Sequence, residues 1–226
     1  MRYLPYFSTI ITFLFMIAVF RRYQQRRGAH LLLWGIGLLF YGLGTLGEVI
    51  LGLTYHPWVL KLWYLSGAML TAAWLGTGTL HLLIRKPSIP RGFTWLIGIL
   101  SLLSLILLAA APVTDAPYDV QRLASEQYKE ILVRNGWIIF LTIFLNIYGT
   151  ITLVGGAIYS AFAFWRKRVL VYRMLGNILI AAGALSPALG GTFLRAGHGD
   201  WLYLSELIGA ILMYIGFVLA VKDRPQ

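Results

Sequence analysis

Seven apolar segments, each about as long as a bilayer is thick, follow one another along this chain of 226 residues. About 20 consecutive apolar residues suffice for a helix to cross a membrane. The composition agrees, because 59% of the residues are hydrophobic and only 12% are charged, against about 25% charged in soluble domains. The sequence therefore predicts an all-α integral membrane protein. It forms one domain, residues 1–226, a seven-transmembrane-helix bundle with spans near 4–20, 31–53, 58–84, 93–111, 137–165, 175–194 and 201–221.

The charged residues alternate between the two ends of these predicted spans. Thirteen of the 19 Lys and Arg residues, with one acid, Asp223, fall in four connecting segments near residues 21–27, 85–91, 166–173 and 222–224. The other six cations share the remaining segments with seven acids, so the two sides carry +12 and −1 of the net charge of +11. Basic loops stay in the cytoplasm, which predicts an outside N-terminus and a cytoplasmic C-terminus. The same distribution indicates contact with membrane lipid and argues against nucleic-acid binding.

The sequence lacks the residues that several kinds of chemistry require. The chain has no cysteine, which excludes disulfides, thiolate metal sites and iron–sulfur clusters. Neither a nucleophile elbow nor a phosphate-binding glycine loop nor an HExxH motif occurs, and the seventh span has no lysine for a retinal Schiff base. We therefore expect no enzyme activity and no cofactor. Haem bound between His30 and His81 is a remaining alternative to a plain interfacial role for these two residues.

Two carboxylates lie well inside predicted spans, where an ionisable residue costs about 2.5–3.5 kcal/mol on insertion scales. Glu48 lies five residues before the outer end of the second span, and Glu206 lies five residues after the outer start of the seventh. At 1.5 Å rise per residue both are about 7–8 Å below the outer boundary. The two carboxylates are thus expected at one level.

Three interpretations of this pair remain open: a structural pair that fixes helix packing, an outward-facing polar pocket, or a path for protons or ions. Lys61 and Arg195 are the candidate counter-charges. The predicted ligand-binding residues are Glu48, Lys61, Trp63, Tyr64, Arg195, Tyr203 and Glu206, with Tyr55 and Trp201 as further aromatic wall.

One long connection, residues 112–136, lies on the predicted outer side. Within it, Asp119 can cap a helix that carries apolar residues at helical spacing. This helix is interpreted either as lying on the membrane surface or as a lid over an outward-facing pocket. Inside the spans, Asn146 predicts interhelical hydrogen bonding, and Pro187 predicts a kink.

One stretch, residues 32–86, carries a recognisable succession of features. A span rich in Trp and Leu runs from Trp34 to Glu48 near its outer end, a short turn follows at 54–57, and the next span opens with KLWYLSG at 61–67 and closes at Arg85 and Lys86. This succession resembles the N-terminal seven-transmembrane sensor domain of bacterial histidine kinases. In those kinases a dimerisation helix and an ATP-binding domain follow the last span, whereas this sequence ends at Gln226. The resemblance therefore implies a sensor without its output domain, signalling through a separate chain.

Together these observations predict a stand-alone, receptor-like module, multi-pass in the cell membrane of a bacterium, that is, its inner membrane. A small lipophilic or amphipathic ligand would bind in the outward-facing pocket, and a protein partner in the membrane or cytoplasm, or a second copy of the chain, would carry the signal. The alternatives are an accessory subunit of a larger membrane complex and, third, a transporter.

Overall fold

Helices begin and end close to the limits of the apolar segments in a computed structural model of the chain, which describes residues 3–167, 171–195 and 200–222. The helices are α1 Leu4–Arg26, α2 Ala29–Leu51, α3 Pro57–Trp63, α4 Thr71–Leu83, α5 Ser88–Ala110, α6 Ala124–Ile131, α7 Gly136–Lys167, α8 Val171–Arg195 and α9 Asp200–Lys222. A π-helical turn, Tyr64–Leu70, joins α3 to α4 without a break. The described part of the chain is thus helical, apart from its connections and one isolated β-bridge between Val113 and Leu132.

Five helices among the described residues are long and apolar enough to cross a membrane: Leu4–Arg26, Ala29–Leu51, Ser88–Ala110, Gly136–Arg166 and Trp201–Val221. The prediction of a helical membrane protein is confirmed at this level. The other two predicted spans are helical as well. One is divided into α3, the π turn and α4, while the last side chains of α8 lie outside the described part of the structure.

Six helical elements form a closed ring. In order around it, α1 packs on α2, α2 on α4, α4 on α7, α7 on α8, α8 on α9, and α9 on α1. α5 lies outside the ring against α4, α7 and the π turn. Its outward face is formed by exposed apolar side chains such as Trp95, Ile99 and Leu102, a surface suited to contact with lipid tails. Trp58, Trp137, Trp165 and Trp201, at helix ends, are likewise exposed, as expected of interfacial anchors.

Two cavities lie inside the ring, one toward each end, with an apolar layer between them. Along α2, Glu48 and Tyr41 line the first cavity, Leu38 belongs to the layer, and Trp34 and His30 line the second. We call the first the carboxyl cavity and the second the basic cavity. The apolar layer is formed by the buried side chains of Leu38, Leu75, Met213 and Phe217. Side chains of α2, α4 and α9 thereby separate the two cavities along the ring axis.

A close contact between two helices is the seam of α8 and α9. A Cβ added to Gly183 would lie 2.7 Å from the carbonyl oxygen of Gly209, and one added to Gly176 would lie 2.5 Å from that of Gly216. On each helix the two glycines are seven residues apart, so they recur on one face. Glycine is needed at these four positions because the backbones themselves touch there.

We expect Gly183→Leu to lower the free energy of unfolding in mixed micelles by about 1–3 kcal/mol, because its side chain would force the seam apart. Gly183→Ala should cost less. Gly155→Leu is the matched control, since no atom lies within 4 Å of a Cβ added at Gly155 on α7. Equal stability of Gly183→Leu and Gly155→Leu would show that the seam is not closely packed.

Candidate functional site

The carboxyl cavity has a volume of about 270 Å³, slightly below the range of about 300–1,000 Å³ that is usual for ligand pockets. Its wall is mostly apolar and aromatic, with a few polar groups that converge on one region. Residues of α2, α3, the π turn, α4, α6, α7, α8 and α9 contribute, among them Tyr41, Glu48, Trp63, Tyr64, Tyr128, Asn146, Pro187 and Glu206. The cavity thus has the mixed character of a site for a small amphipathic molecule.

Glu48 and Glu206 lie next to each other in the wall of this cavity. Their carboxyl groups are within hydrogen-bonding reach, and Glu48 is only 6% exposed. The Oε2 atoms of both residues are buried and receive no hydrogen bond from the described residues. Carboxylate oxygens only accept hydrogen bonds, so two carboxyl groups in contact need a proton between them. The pair therefore offers acceptor oxygens to a ligand while holding α2 beside α9.

Two further hydrogen bonds fix the position of the pair. The indole Nε1 of Trp63 donates to Oε1 of Glu48 at 3.0 Å, and the hydroxyl of Tyr41 donates to the backbone carbonyl of Glu206 at 2.8 Å. The first bond joins α3 to α2, and the second joins α2 to α9. At the level of the cavity, the helix that carries Glu48 is thus tied to α3, and the helix that carries Glu206 is tied to α2.

The π turn shapes the cavity wall between α3 and α4. A π turn has one residue more than an α-helical turn and leaves carbonyl groups without their usual partners. Here the carbonyl of Ala68 accepts a hydrogen bond of 2.6 Å from Nδ2 of Asn146 on α7. Asn146 therefore makes the interhelical hydrogen bond that its sequence context predicts. The turn also brings the Gly67 backbone against Gly44 of α2, where a Cβ on Gly44 would lie 2.8 Å from Cα of Gly67.

The connection between α5 and α7, residues 112–135, covers the cavity as a lid. Two of its side chains, Ser125 and Tyr128 of α6, belong to the cavity wall. The Tyr128 ring lies 5.5 Å from the rings of both Trp63 and Tyr64. The ends of the lid are pinned together, since Thr114 N donates to the carbonyl of Ile131 at 2.9 Å. Of the two interpretations of this connection, the structure favours the lid over a helix lying apart on the membrane surface.

Gln127 latches the lid from inside. Its side chain is 1% exposed, and its Nε2 donates to the carbonyls of Asp119 and Arg122 while its Oε1 accepts from Asp119 N. The prediction that Asp119 caps the helix is wrong. The helix begins later, at Ala124, and Oδ1 of Asp119 accepts from Gln121 N within the preceding turn. A short polar side chain followed by backbone donors fits this turn as well as a helix cap.

A pair of tyrosines closes one side of the lid. Tyr118 of the lid stacks on Tyr55, which follows α2, with ring centroids 4.6 Å apart. Burial, with smaller contributions from Tyr55, Glu48 and Asp119, raises the pKa of Tyr118 to about 12. Burial also raises the pKa of Tyr55. Both hydroxyls therefore stay protonated at neutral pH, and the stack carries no charge over the carboxyl pair.

Arg134 is a residue of the site that the sequence interpretation missed. Its guanidinium lies 4.9 Å from the Tyr128 ring centroid and 5.7 Å from that of Tyr64, and its Nη1 donates to the Tyr64 hydroxyl at 3.3 Å. It thus covers the two aromatic rings that line the cavity. An available signal was its place three residues before an apolar span.

The other predicted site residues lie at varying distance from the carboxyl pair. Tyr203 is 4% exposed and lies beside the pair. Lys61 pairs with neither carboxylate, because its Nζ donates to the carbonyl of Ala109 at 2.9 Å and lies 4.9 Å from the Trp58 ring centroid. Arg195 is the last residue of α8, and its side chain lies outside the described residues. Arg122 and Glu130 form an ion pair on the surface of the lid.

Two histidines, His56 and His81, make hydrogen bonds that support helices. Nδ1 of His56 accepts from Trp58 N at the start of α3. Nε2 of His81 is 2.8 Å from Oγ1 of Thr94 on α5, which favours a structural role over haem ligation. Within the described residues, no three His, Asp or Glu side chains are grouped as a metal site would require.

No protein-family model, curated protein or solved structure matches this chain. The resemblance of residues 32–86 to the sensor domain of bacterial histidine kinases therefore stays a hypothesis, and the case for a function has to be made from the cavity itself.

We expect Glu48→Gln to change the free energy of unfolding by less than about 1 kcal/mol, since the amide accepts from Trp63 and donates to Glu206. Glu48→Leu should lower that free energy by about 1–3 kcal/mol, because it leaves the Trp63 indole and the Glu206 carboxyl without a partner. Titration with denaturing detergent in mixed micelles measures both. Glu126→Leu, at an exposed position of the lid, is the control. A leucine variant as stable as the glutamine variant would refute the proton-sharing pair.

Gln127→Leu should open the lid more often, because three backbone groups lose their partner. We expect trypsin to cleave after Arg122 or Lys129 roughly tenfold faster, since such cleavage follows the population of the open form. Gln121→Leu changes an exposed side chain of the same loop and should cleave at the wild-type rate. If both variants are cleaved alike, Gln127 is not the latch.

Proposed function

We propose that this chain is a receptor-like protein with seven membrane-spanning helices, which binds a small amphipathic ligand in the carboxyl cavity and acts through a partner chain. The observation that carries the proposal is the buried contact of Glu48 and Glu206 in the wall of a cavity under a lid. A purely structural carboxyl pair needs neither a cavity nor a cover. A binding site needs both, because a ligand must be desolvated and held.

The chemistry of the wall indicates which molecules fit. The two Oε2 atoms are acceptors without a donor among the described residues, so the ligand should carry a hydroxyl or amine group. The aromatic rings of Trp63, Tyr64 and Tyr128 suit an apolar or flat body beside that group. The volume of about 270 Å³ restricts the ligand to a small molecule.

The proposal extends to topology and place. The charge distribution of +12 against −1 supports an outside N-terminus and a cytoplasmic C-terminus, with α6 and the lid on the outer side. A ligand would then enter from outside or from the outer leaflet. The resemblance to bacterial sensor domains supports the inner membrane of a bacterium and a separate signalling chain as partner.

A transporter is the second candidate, and one observation favours it. The two cavities open toward opposite ends of the ring and are separated only by the apolar layer of Leu38, Leu75, Met213 and Phe217. Alternating access requires such a barrier between two half-cavities. A transporter would carry the ligand across proteoliposome membranes, whereas a receptor would bind it without flux.

Native mass spectrometry after purification in mild detergent tests the proposal. We expect a small molecule to be retained by the wild type and by Ala182→Leu. In Ala184→Leu the retained amount should fall at least about tenfold. Ala184 lines the cavity, whereas Ala182 is an exposed residue of the same helix, and roughly three added methylene-sized groups fill a substantial part of so small a space.

Other outcomes of the same experiment count against the receptor. A protein that retains no small molecule and no partner would contradict the proposal. Stoichiometric co-purification with a large complex, without any small molecule, would favour the accessory subunit instead. Recovery of a second copy of this chain would identify the partner as a homo-oligomer.

A further inference from the structure

The basic cavity, at the other end of the ring, is a second possible binding site that the proposed function does not use. It has a volume of about 460 Å³, larger than the carboxyl cavity. Three arginines and a histidine from different helices meet in its wall: Arg22 and Arg26 of α1, His30 of α2 and Arg173 of α8. These basic side chains come from α1, α2 and α8, so the ring itself brings them to one space.

The cations lie at the rim, and the interior of the cavity is apolar. Arg22 and Arg173 are half-buried, whereas Arg26 is exposed. Below them the wall is formed by Trp34, Ile180 and Phe217, which also border the apolar layer. Trp34 is held in place, since its Nε1 donates to the carbonyl of Leu75 at 3.1 Å and to Oγ1 of Thr79 at 3.2 Å. The cavity is therefore amphipathic, with a cationic rim over a rigid apolar floor.

The start of α2 adds backbone donors to the same rim. Gly28, His30 and Leu31 all line the cavity, and no side chain caps the first turn of α2. A helix N-terminus carries a partial positive charge and favours an anionic group near it. The His30 ring packs directly on Gly28, since a Cβ at that position would lie 2.7 Å from Cε1 of the ring. The histidine is thereby seated over the helix start, beside the arginines.

The surroundings reinforce the positive potential. The four basic segments of the sequence contain thirteen Lys and Arg residues and one acid, and the three cavity arginines belong to them. Guanidinium groups bind phosphate through paired hydrogen bonds. Basic pockets between membrane helices accommodate the head groups of anionic lipids.

We propose that the basic cavity binds the phosphate group of an anionic amphiphile, with Arg22, Arg173 and the start of α2 around the phosphate and the apolar tail against Trp34 and Phe217. This site is independent of the carboxyl cavity and of what that cavity binds. Anionic phospholipid is the source that the apolar floor favours, and a free phosphate compound is the other source with the same chemistry.

The test uses full-length protein in nanodiscs of phosphatidylcholine with a minor fraction of phosphatidylglycerol, followed by gentle release into detergent and native mass spectrometry. The wild type should retain phosphatidylglycerol. Arg22→Gln and Arg173→Gln should retain about five- to tenfold less. Arg21→Gln is the matched control, because it removes the same charge from the neighbouring position, is exposed and does not line the cavity.

Each outcome decides the proposal. Selective loss in Arg22→Gln and Arg173→Gln, with the control unchanged, supports a lipid site. Millimolar inorganic phosphate is then added to both proteins as a competitor. If it displaces phosphatidylglycerol from the wild type but not the remaining phosphatidylglycerol from Arg22→Gln, the site is supported and free phosphate compounds are among its ligands. Equal loss in Arg21→Gln and Arg22→Gln would reduce the effect to attraction by a charged surface and overturn the proposal. Absence of retention by the folded wild type, with no phosphate binding by calorimetry, would overturn it too.

Discussion

A carboxyl group inside a membrane helix has to find its partner within the protein, and in this chain Glu48 and Glu206 find each other. The arrangement of the helices around them follows from that contact. α2 and α9 must be close enough for the two side chains to meet, and the bonds from Trp63 to Glu48 and from Tyr41 to the Glu206 backbone keep them at one level. In the ring, α8 packs on both α7 and α9. Its glycine seam with α9 fixes the position of α9. The cavity lies where polar groups take part in the wall in place of closely packed apolar side chains.

The helices and the common level of the two carboxyl groups follow from short-range patterns in the sequence. Apolar length, charge alternation and position within a span are properties of short windows, so the helix bounds and the common level of Glu48 and Glu206 could be predicted. Their contact with each other was not predicted, because Lys61 and Arg195 were the expected partners. Asn146 was also predictable in kind, because an amide inside a span needs an acceptor on a neighbouring helix. Its acceptor was not predictable, since the Ala68 carbonyl becomes available only through the π turn.

The features that the sequence does not reveal depend on choices between partners of similar chemistry. Lys61 has acidic residues within plausible reach, yet it bonds a helix-terminal carbonyl and a Trp ring, both of which leave its ammonium close to water. Arg134 is recruited by two tyrosines that are 64 residues apart in sequence, Tyr64 and Tyr128. The lid depends on a specific pairing as well, because a single buried amide, Gln127, binds the backbone of Asp119 and Arg122 earlier in the same loop. Hydrophobicity patterns do not indicate such pairings.

The π turn has a consequence for the geometry of the whole segment from Pro57 to Leu83. Both ends of that segment contact α2: Trp63 reaches Glu48 before the turn, and the Leu75 carbonyl and Thr79 hydroxyl receive the Trp34 indole after it. Successive residues of an α-helix are rotated by about 100° from one another, so in a regular helix Trp63 and Leu75 would lie on faces about 120° apart. The wider π turn takes up one residue without changing the rotational register of the flanking helices, and both ends of the segment therefore face α2. A deletion of one residue between Tyr64 and Leu70 that restores a regular helix would keep both contacts, whereas a regular helix of the full length would turn one end away from α2.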